Sequence, residues 1–141
     1  MKVNEFMSKN IVSASPDTPI VEIAKLMKEH NIGSVPVLKD NRVIGIVTDR
    51  DIVLRDVASG KDVNKVTAKD VMTSGVITAS PNMDIHDAAR IMAEKQVRRL
   101  PVVENGRLVG MLSLGDVAID SKLEDDAGEA LSDISKPSNM M

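Results

Sequence analysis

Hydrophobic residues recur at helical spacing in two segments of the chain, and each segment predicts an amphipathic helix. The apolar face of the first is formed by Ile20, Ile23, Ala24 and Met27. Thr18 is the expected N-cap of this helix, and Pro19 is the expected first helical residue. Gly33 is expected to end the helix. The second segment predicts a helix over residues 84–95.

Short apolar runs on either side of a polar turn follow each helix and predict two β-hairpins. The predicted strands are residues 11–13, 35–38 and 43–47 in the first half, and residues 76–78, 100–103 and 108–112 in the second. The turns are residues 39–42 and Asn105-Gly106, and Asn-Gly is a strong signal for a two-residue hairpin turn. Each half therefore has one strand before its helix and a hairpin after it.

A second helix is predicted in each half, over residues 49–58 and from Gly115 onward, and its apolar residues surround most of the axis. In the first copy these residues are Ile52, Val53, Leu54, Val57 and Ala58. A helix that is apolar on several sides is buried on several sides, which in so small a protein predicts a partner subunit. A final amphipathic helix is predicted over residues 123–134, followed by a disordered tail.

The two halves are copies of each other, because residues 6–57 align with residues 71–122 without a gap. The aligned pairs include Pro36 with Pro101, Gly45 with Gly110 and Asp51 with Asp116. This duplication predicts an α/β (α+β) fold in which two βαββα repeats pack with pseudo-two-fold symmetry around a cleft. The expected domains are residues 1–62, residues 63–122, and a C-terminal helix and tail at 123–141.

Composition narrows the possible functions. The 141 residues contain no cysteine, so neither disulfides nor thiolate metal sites are available. The net charge of −3 and a single aromatic residue, Phe6, argue against a nucleic-acid interface. No apolar run approaches the length of a membrane span, and the first residues lack the core of a signal peptide. We therefore expect a soluble cytoplasmic protein that binds neither nucleic acid nor membrane.

Candidate chemistry is concentrated where each hairpin ends and the second helix begins. The pattern Gly, two apolar residues, a hydroxyl, two variable residues and Asp occurs there in both copies. Its hydroxyl and carboxylate residues are Thr48 and Asp51 in the first copy and Ser113 and Asp116 in the second. At a helix N-terminus a carboxylate can accept the hydroxyls of a ribose, and a hydroxyl can meet a phosphate. The same spacing is typical of a capping box, which needs no ligand.

Two arginines distinguish the second copy from the first. Arg98 and Arg99 precede its hairpin, where the first copy has Gly33 and Ser34. Two guanidinium groups at one corner can clamp a phosphate, although a solvated surface pair would also satisfy the pattern. If two ligand sites exist, this difference predicts that they are not equivalent.

The sequence offers no recognisable catalytic apparatus. His30 and His86 lie on predicted helices, and neither has a histidine counterpart in the other copy. There is no metal-ligand spacing, no Gly-rich phosphate loop and no nucleophile elbow. We therefore expect a protein that is not an enzyme and that has no metal site and no obligatory cofactor.

Together these segments resemble a tandem pair of CBS domains, named for cystathionine β-synthase and also called a Bateman module. The resemblance covers about residues 1–122. It rests on the proline after each first strand, on segments 32–37 and 97–102, and on both Gly-x-x-Thr/Ser-x-x-Asp patterns. It implies two βαββα units joined through their sheets, with two ligand clefts.

The resemblance also implies a class of ligand, because the family binds mainly adenosine compounds: AMP, ADP, ATP, S-adenosylmethionine or dinucleotides. By this resemblance Asp51 and Asp116 would hold ribose, and Thr48 and Ser113 would hold ribose or phosphate. The family's clefts are crossed, so each borrows residues from the other repeat. The Asp51 cleft would borrow from around Val76, Val97, Arg98 and Arg99, and the Asp116 cleft from around Ile11, Ile32 and Ser34.

Three hypotheses follow from these patterns. The first is a stand-alone regulatory module that senses an adenosine ligand and signals in trans to an unidentified protein, or through a homodimer. The second is a ligand-free interaction module with vestigial clefts. The third, a small enzyme, is disfavoured because no nucleophile or metal site is recognisable.

Overall fold

The computed structural model describes residues 1–119 and 124–136. Its helices are α1 (Ile20–His30), α2 (Asp49–Asp51), α3 (Ala68–Val71), α4 (Ile85–Lys95), α5 (Leu114–Ile119) and α6 (Glu124–Ile134). A 3-10 turn lies at Val3–Glu5, and a π-helical turn at Ile52–Val57 continues α2. The strands are β1 (Ser34–Lys39), β2 (Arg42–Thr48), β3 (Arg99–Glu104) and β4 (Arg107–Ser113). Mixed helix and strand content with two antiparallel sheets confirms the predicted α+β class.

The chain forms two compact units that interleave along the sequence. One unit is Val12–Val76, and the other is Met1–Ile11 together with the described residues from Ile77 onward. The predicted domains are consecutive segments, whereas in the structure the segment that leads into each repeat packs in the unit of the other repeat. Each unit has its own apolar core, built from its helices and its hairpin.

The two leading segments occupy equivalent positions. In the Val12–Val76 unit the Ile20 N–H donates to the Val66 carbonyl, and the Ile46 N–H donates to the Thr73 carbonyl. The equivalent bonds in the other unit join Ile85 to Met1 and Met111 to Ser8. Each leading segment therefore satisfies a backbone donor at a helix N-terminus and adds a short bridge beside a hairpin.

Each sheet is a hairpin, as predicted, with a register shift at the same place. β1 pairs with β2 from Ser34 opposite Thr48 to Lys39 opposite Arg42, and the shift follows Val37. In the second hairpin Arg99 lies opposite Ser113, and the shift follows the equivalent valine. The turn residues Asp40, Asn41, Asn105 and Gly106 all have positive φ, as a type I′ turn requires.

The predicted first strands, residues 11–13 and 76–78, are wrong. Instead Ala14 forms a single parallel bridge to β1, where the Leu38 N–H donates to its carbonyl at 2.8 Å. Ala79 bridges β3 in the same way. A Ser-Pro pair follows each bridge residue, and proline has no N–H with which to continue the pairing.

The helix ends also differ from the expectation. Pro19 is the N-cap of α1, and the Thr18 hydroxyl instead accepts the Ser15 N–H at 3.0 Å. The left-handed residue that ends α1 is Asn31, with φ of 53°, and not Gly33. Asparagine tolerates this conformation better than most residues, so the glycine is not needed there.

The predicted helix over residues 49–58 is α-helical only to Asp51. Beyond it the Ala58 N–H donates to the Val53 carbonyl, five residues back, which is the π-helical pattern. The exposed apolar residues of this turn, each about half accessible, are Val53, Leu54 and Val57.

α6 confirms the predicted last helix and adds to the second unit's core. Ala127 and Ala130 are buried, and Ile134 packs against the core cluster. Two parts of these predictions lie outside the described residues. They are Leu123, the first residue of the predicted helix, and residues 137–141, which form most of the predicted tail.

Candidate functional site

The first hydroxyl–carboxylate pair lies where β2 ends and α2 begins, and it forms a capping box. The Asp51 N–H donates to the Thr48 hydroxyl at 3.0 Å, and the Thr48 N–H donates to Asp51 Oδ2 at 3.0 Å. These reciprocal bonds fix the carboxylate in one orientation. The side chain is 12% exposed, so it is largely but not wholly withdrawn from solvent.

Two residues that the sequence reasoning missed surround the Asp51 carboxylate. Arg55 Nε lies 3.8 Å from Oδ1, and the Thr73 hydroxyl lies 3.4 Å from Oδ2. The Arg55 guanidinium also donates to the carbonyls of Val71 and Met72, each at 3.1 Å. The i,i+4 spacing from Asp51 could have identified Arg55. Thr73 is remote in sequence, and no local signal marks it.

The second pair has the same geometry at the join of β4 and α5. The Ser113 N–H donates to Asp116 Oδ2 at 2.9 Å, and the Asp116 N–H donates to the Ser113 hydroxyl at 3.1 Å. Because the Ser113 oxygen accepts this bond, its own proton can still be donated to a ligand. The predicted pairing of hydroxyl and carboxylate is therefore present in both repeats.

A third capping box, formed by Thr67 and Asp70, shows that capping alone can produce this kind of geometry. The Thr67 N–H donates to the Asp70 carboxylate at 3.0 Å, and this bond lowers the pKa of Asp70. The box lies at the start of α3 and does not follow a hairpin strand. Reciprocal bonding between a hydroxyl residue and an aspartate is therefore not by itself evidence of a ligand. The other two boxes differ from this one by their place at the end of a hairpin.

Arg98 and Arg99 lie beside the second pair within their unit. Arg99 is opposite Ser113 in the sheet, and the Leu114 N–H donates to the Arg98 carbonyl at 2.9 Å. Both arginine side chains are exposed. They line a cavity of about 590 Å³, together with Ser113, Leu114, Gly115, Ala118, Ala127, Gly128 and Leu131.

The equivalent corner of the first repeat has a different charge. There the Asp49 N–H donates to the Gly33 carbonyl at 3.0 Å, and a Cβ added to Gly33 would lie 3.2 Å from the Asp49 carboxylate. Ser34, which is buried, lies opposite Thr48. Asp49 therefore adds a carboxylate where the second repeat has Leu114, and Arg98 and Arg99 stand where the first repeat has Gly33 and Ser34. The second of these differences is the one that the sequence analysis identified.

The remaining predicted site residues lie just before the hairpins or where the chain passes from one unit to the other. Ile32 and Val97 are half-buried at equivalent places just before β1 and β3. Ile11 is exposed and Val76 is half-buried, and each is the last residue of a segment before the chain passes to the other unit. The crossed assignment of these residues to the two clefts remains a prediction.

The fold and its two corners define a class of protein: a duplicated hairpin-and-helix module with one hydroxyl–carboxylate pair per repeat. A sequence model of the CBS domain family matches residues 3–57 and 68–119. The chain belongs to the CBS domain family and carries a pair of these domains, as the resemblance in the sequence indicated.

Similar proteins fall in the same family. The CBS domain-containing protein YhcV of Bacillus subtilis is 41% identical over 133 residues, which are 94% of this chain and 94% of that protein. The CBS domain pair of protein MJ0100, in complex with 5′-methylthioadenosine and S-adenosyl-L-methionine, is 30% identical with a TM-score of 0.76. That match covers 84% of this chain and 94% of the other. A hexameric CBS-CP12 protein from bloom-forming cyanobacteria is 27% identical with a TM-score of 0.78, over 89% of this chain and 73% of the other.

The described part of the chain has neither a metal-binding cluster nor a membrane-spanning helix. Within residues 1–119 and 124–136, no group of three or more His, Cys, Asp or Glu residues is arranged to hold a metal ion. None of the helices described is long and apolar enough to cross a membrane.

Proposed function

We propose that this chain is a regulatory module that binds an adenosine ligand at the Thr48–Asp51 and Ser113–Asp116 corners. The observation that carries the proposal is the repetition of one oriented carboxylate and one hydroxyl at the same place in both repeats. A carboxylate fixed by a backbone N–H is preorganised to accept ribose hydroxyls. The adenosyl ligands named in the MJ0100 structure support the same class of ligand.

The regulatory ligand would be AMP, ADP, ATP or S-adenosylmethionine. In this proposal the Asp51 cleft also uses residues around Val76, Val97, Arg98 and Arg99, and the Asp116 cleft uses residues around Ile11, Ile32 and Ser34. The charge difference between the two corners supports unequal sites, with more phosphate charge preferred where the arginines act. No catalytic step forms part of this function.

The regulatory signal that follows ligand binding would be passed on through self-assembly of this chain or to a protein partner. Val53, Leu54 and Val57 present an exposed apolar surface on the π-helical turn, and we propose that it forms a homodimer interface. Ligand binding would then be read by an unidentified protein target in the cytoplasm. The absence of cysteine is in keeping with that compartment.

The alternative function is a ligand-free interaction module. The Thr67–Asp70 box favours it, because that box also pairs a hydroxyl residue with an aspartate, through the Thr67 N–H and hydroxyl, without any corner for a ligand. Under this alternative the Asp51 and Asp116 boxes only begin their helices, and the exposed apolar turn carries the function.

A thermal-melt screen with AMP, ADP, ATP and S-adenosylmethionine separates the two functions. A ligand that binds only the folded state raises the melting temperature, by an amount equivalent to about 2.7 kcal/mol at a hundred times Kd. The regulatory function predicts a saturable rise with at least one of the four ligands. An unchanged melting temperature with all four at millimolar concentration would favour the interaction module.

A further inference from the structure

Helix α6 lies outside the segments that match the CBS family, yet it is packed against the second unit. The family match ends at residue 119, and α6 begins at Glu124. Ala127 and Ala130 are 6% and 1% exposed, so one face of the helix is buried. The chain therefore has an additional element, outside the two family segments, beside the Ser113–Asp116 corner.

Polar contacts hold α6 near both of its ends. His86 on α4 pairs through Nδ1 with a carboxylate oxygen of Asp126, near the start of α6. Gln96, which follows α4, donates from Nε2 to the carbonyls of Asp133 and Lys136 at 3.1 and 3.2 Å. Contacts at both ends, with buried alanines between them, make α6 a positioned wall and not a loosely attached tail.

The cavity of about 590 Å³ lies between this wall and the arginine corner. Its volume is in the range of small-molecule sites. The charged residues among its lining are Arg98 and Arg99, and Ser113 adds a hydroxyl near them. The residues that α6 contributes are Ala127, Gly128 and Leu131, which are small or apolar. Such a cavity suits a ligand with an anionic end toward the guanidinium groups and a less polar body along the helix.

Gly128 is the informative residue of this wall. Glycine within a helix is unfavourable relative to alanine, so its presence in the middle of α6 calls for a reason. Steric crowding does not explain the glycine, because a Cβ at this position would have no neighbouring protein atom within 4 Å. Gly128 also lines the cavity, so a side chain at this position would extend into open space beside it.

We propose that α6 is a specificity-determining wall of a nucleotide site, and that Gly128 leaves room there for the body of a phosphate-bearing ligand held by Arg98 and Arg99. This inference rests on the proposed function but departs from its crossed assignment of the arginines, because the cavity joins Arg98 and Arg99 to Ser113 of their own repeat and not to Asp51. It also adds a contributor from outside the two segments that match the family. It favours ADP and ATP over uncharged adenosine at this cavity, since the charged side chains among its described lining residues are those of Arg98 and Arg99.

The test is calorimetric titration of the whole chain with ATP, comparing Gly128→Leu, Gly128→Ala and the wild type. Gly128→Leu places a branched side chain at a position where a Cβ meets no neighbouring atom, and there it occupies part of the cavity. We expect about tenfold or greater loss of ATP affinity at one site. Ser132→Leu is the matched control, because Ser132 lies on the same helix, is exposed and does not line the cavity. It should bind ATP as the wild type does.

The alanine variant provides a second readout that does not depend on a large side chain being tolerated. Gly128→Ala should raise the melting temperature by about 3 °C through helix propensity, while weakening ATP about twofold to fivefold. If Gly128→Leu fails to fold, this variant decides the matter. Wild-type ATP affinity in the folded Gly128 variants would overturn the role of α6 and leave the proposed function standing. Failure of the wild type to bind any nucleotide would overturn both.

Discussion

At the scale of single residues, the aspartates of the two corners combine a capping role with a proposed ligand role. Asp51→Ala and Asp116→Ala should each weaken one adenosine site about tenfold to a hundredfold, since a hydrogen bond to a charged group contributes about 1.5–3 kcal/mol. Each should also cost about 1 kcal/mol of stability through loss of the cap. Titration calorimetry and chemical denaturation measure the two effects separately.

Asp70→Ala is the matched control for this prediction. It removes the same kind of box, because Asp70 bonds the Thr67 N–H as Asp51 bonds the Thr48 N–H. It should lower stability to a similar extent and leave ligand affinity unchanged. If all three variants bind the ligand equally well, Asp51 and Asp116 are caps and nothing more.

Arg99 should discriminate between ligands by their phosphate charge. Arg99→Ala is expected to reduce ATP and ADP affinity about tenfold and adenosine affinity much less, because a guanidinium group pairs with phosphate and not with the nucleoside. Arg107→Ala serves as the control, since Arg107 is also exposed but lies at the far end of the same hairpin. Equal losses for ATP and adenosine would refute the phosphate role.

At the scale of elements, two glycines allow the leading segments to pair beside the hairpins. A Cβ on Gly45 would lie 2.5 Å from the Met72 sulfur and 3.1 Å from the Thr73 carbonyl oxygen. A Cβ on Gly110 would lie 2.6 Å from the Met7 sulfur and 2.9 Å from the Ser8 carbonyl oxygen. We expect alanine at either site to destabilise the fold by about 1–3 kcal/mol. The cost should be somewhat larger at Gly110, because the backbone carbonyl there lies closer to the added Cβ and yields less easily than a methionine side chain.

Denaturant unfolding measures this effect, with Gly128→Ala as the comparison. That glycine has no crowding neighbour, so its alanine variant should be at least as stable as the wild type. Gly45→Ala and Gly110→Ala proteins with wild-type stability would mean that the leading segments are not packed as closely as described.

The elements that were predictable from sequence are those defined by local signals. Both hairpins followed from short apolar runs around turn residues, and the Asn105-Gly106 turn has the positive φ values that its sequence requires. The end of α1 was misplaced, because Asn31 takes the left-handed conformation that was assigned to Gly33. The first strands were wrong, because only Ala14 and Ala79, which directly follow the predicted strands, form a bridge before the Ser-Pro pair.

The candidate site was predictable to a similar degree. Thr48 with Asp51 and Ser113 with Asp116 were found from their spacing alone, and each pair forms the expected reciprocal bonds. The contacts that come from remote segments were missed. Thr73 beside Asp51, and α6 along the Arg98–Arg99 cavity, depend on packing between segments that no local pattern connects.

At the scale of the whole molecule, the exposed π-helical turn predicts a homodimer. A contact between two identical surfaces would place a charge at Val53 opposite itself or opposite buried apolar groups, so Val53→Glu should dissociate the dimer. Light scattering at micromolar concentration should give twice the chain mass of 15.2 kDa for the wild type and the single mass for the variant. Ser59→Glu, at an exposed position two residues beyond the turn, should remain a dimer.

A wild-type protein with the mass of a single chain would contradict this assembly. A folded Val53→Glu protein that stays dimeric would place the interface elsewhere on the molecule. Circular dichroism on both variants shows whether a change in mass reflects dissociation or unfolding.

Titration calorimetry of the wild type and of the Asp51→Ala/Asp116→Ala double variant, with AMP, ATP and S-adenosylmethionine, tests the central claim most directly. The account predicts saturable binding of at least one ligand to the wild type, and binding at least about a hundredfold weaker in a double variant that remains folded. Binding of equal strength in the two proteins, or no binding of any of the three ligands to the wild type, would contradict it.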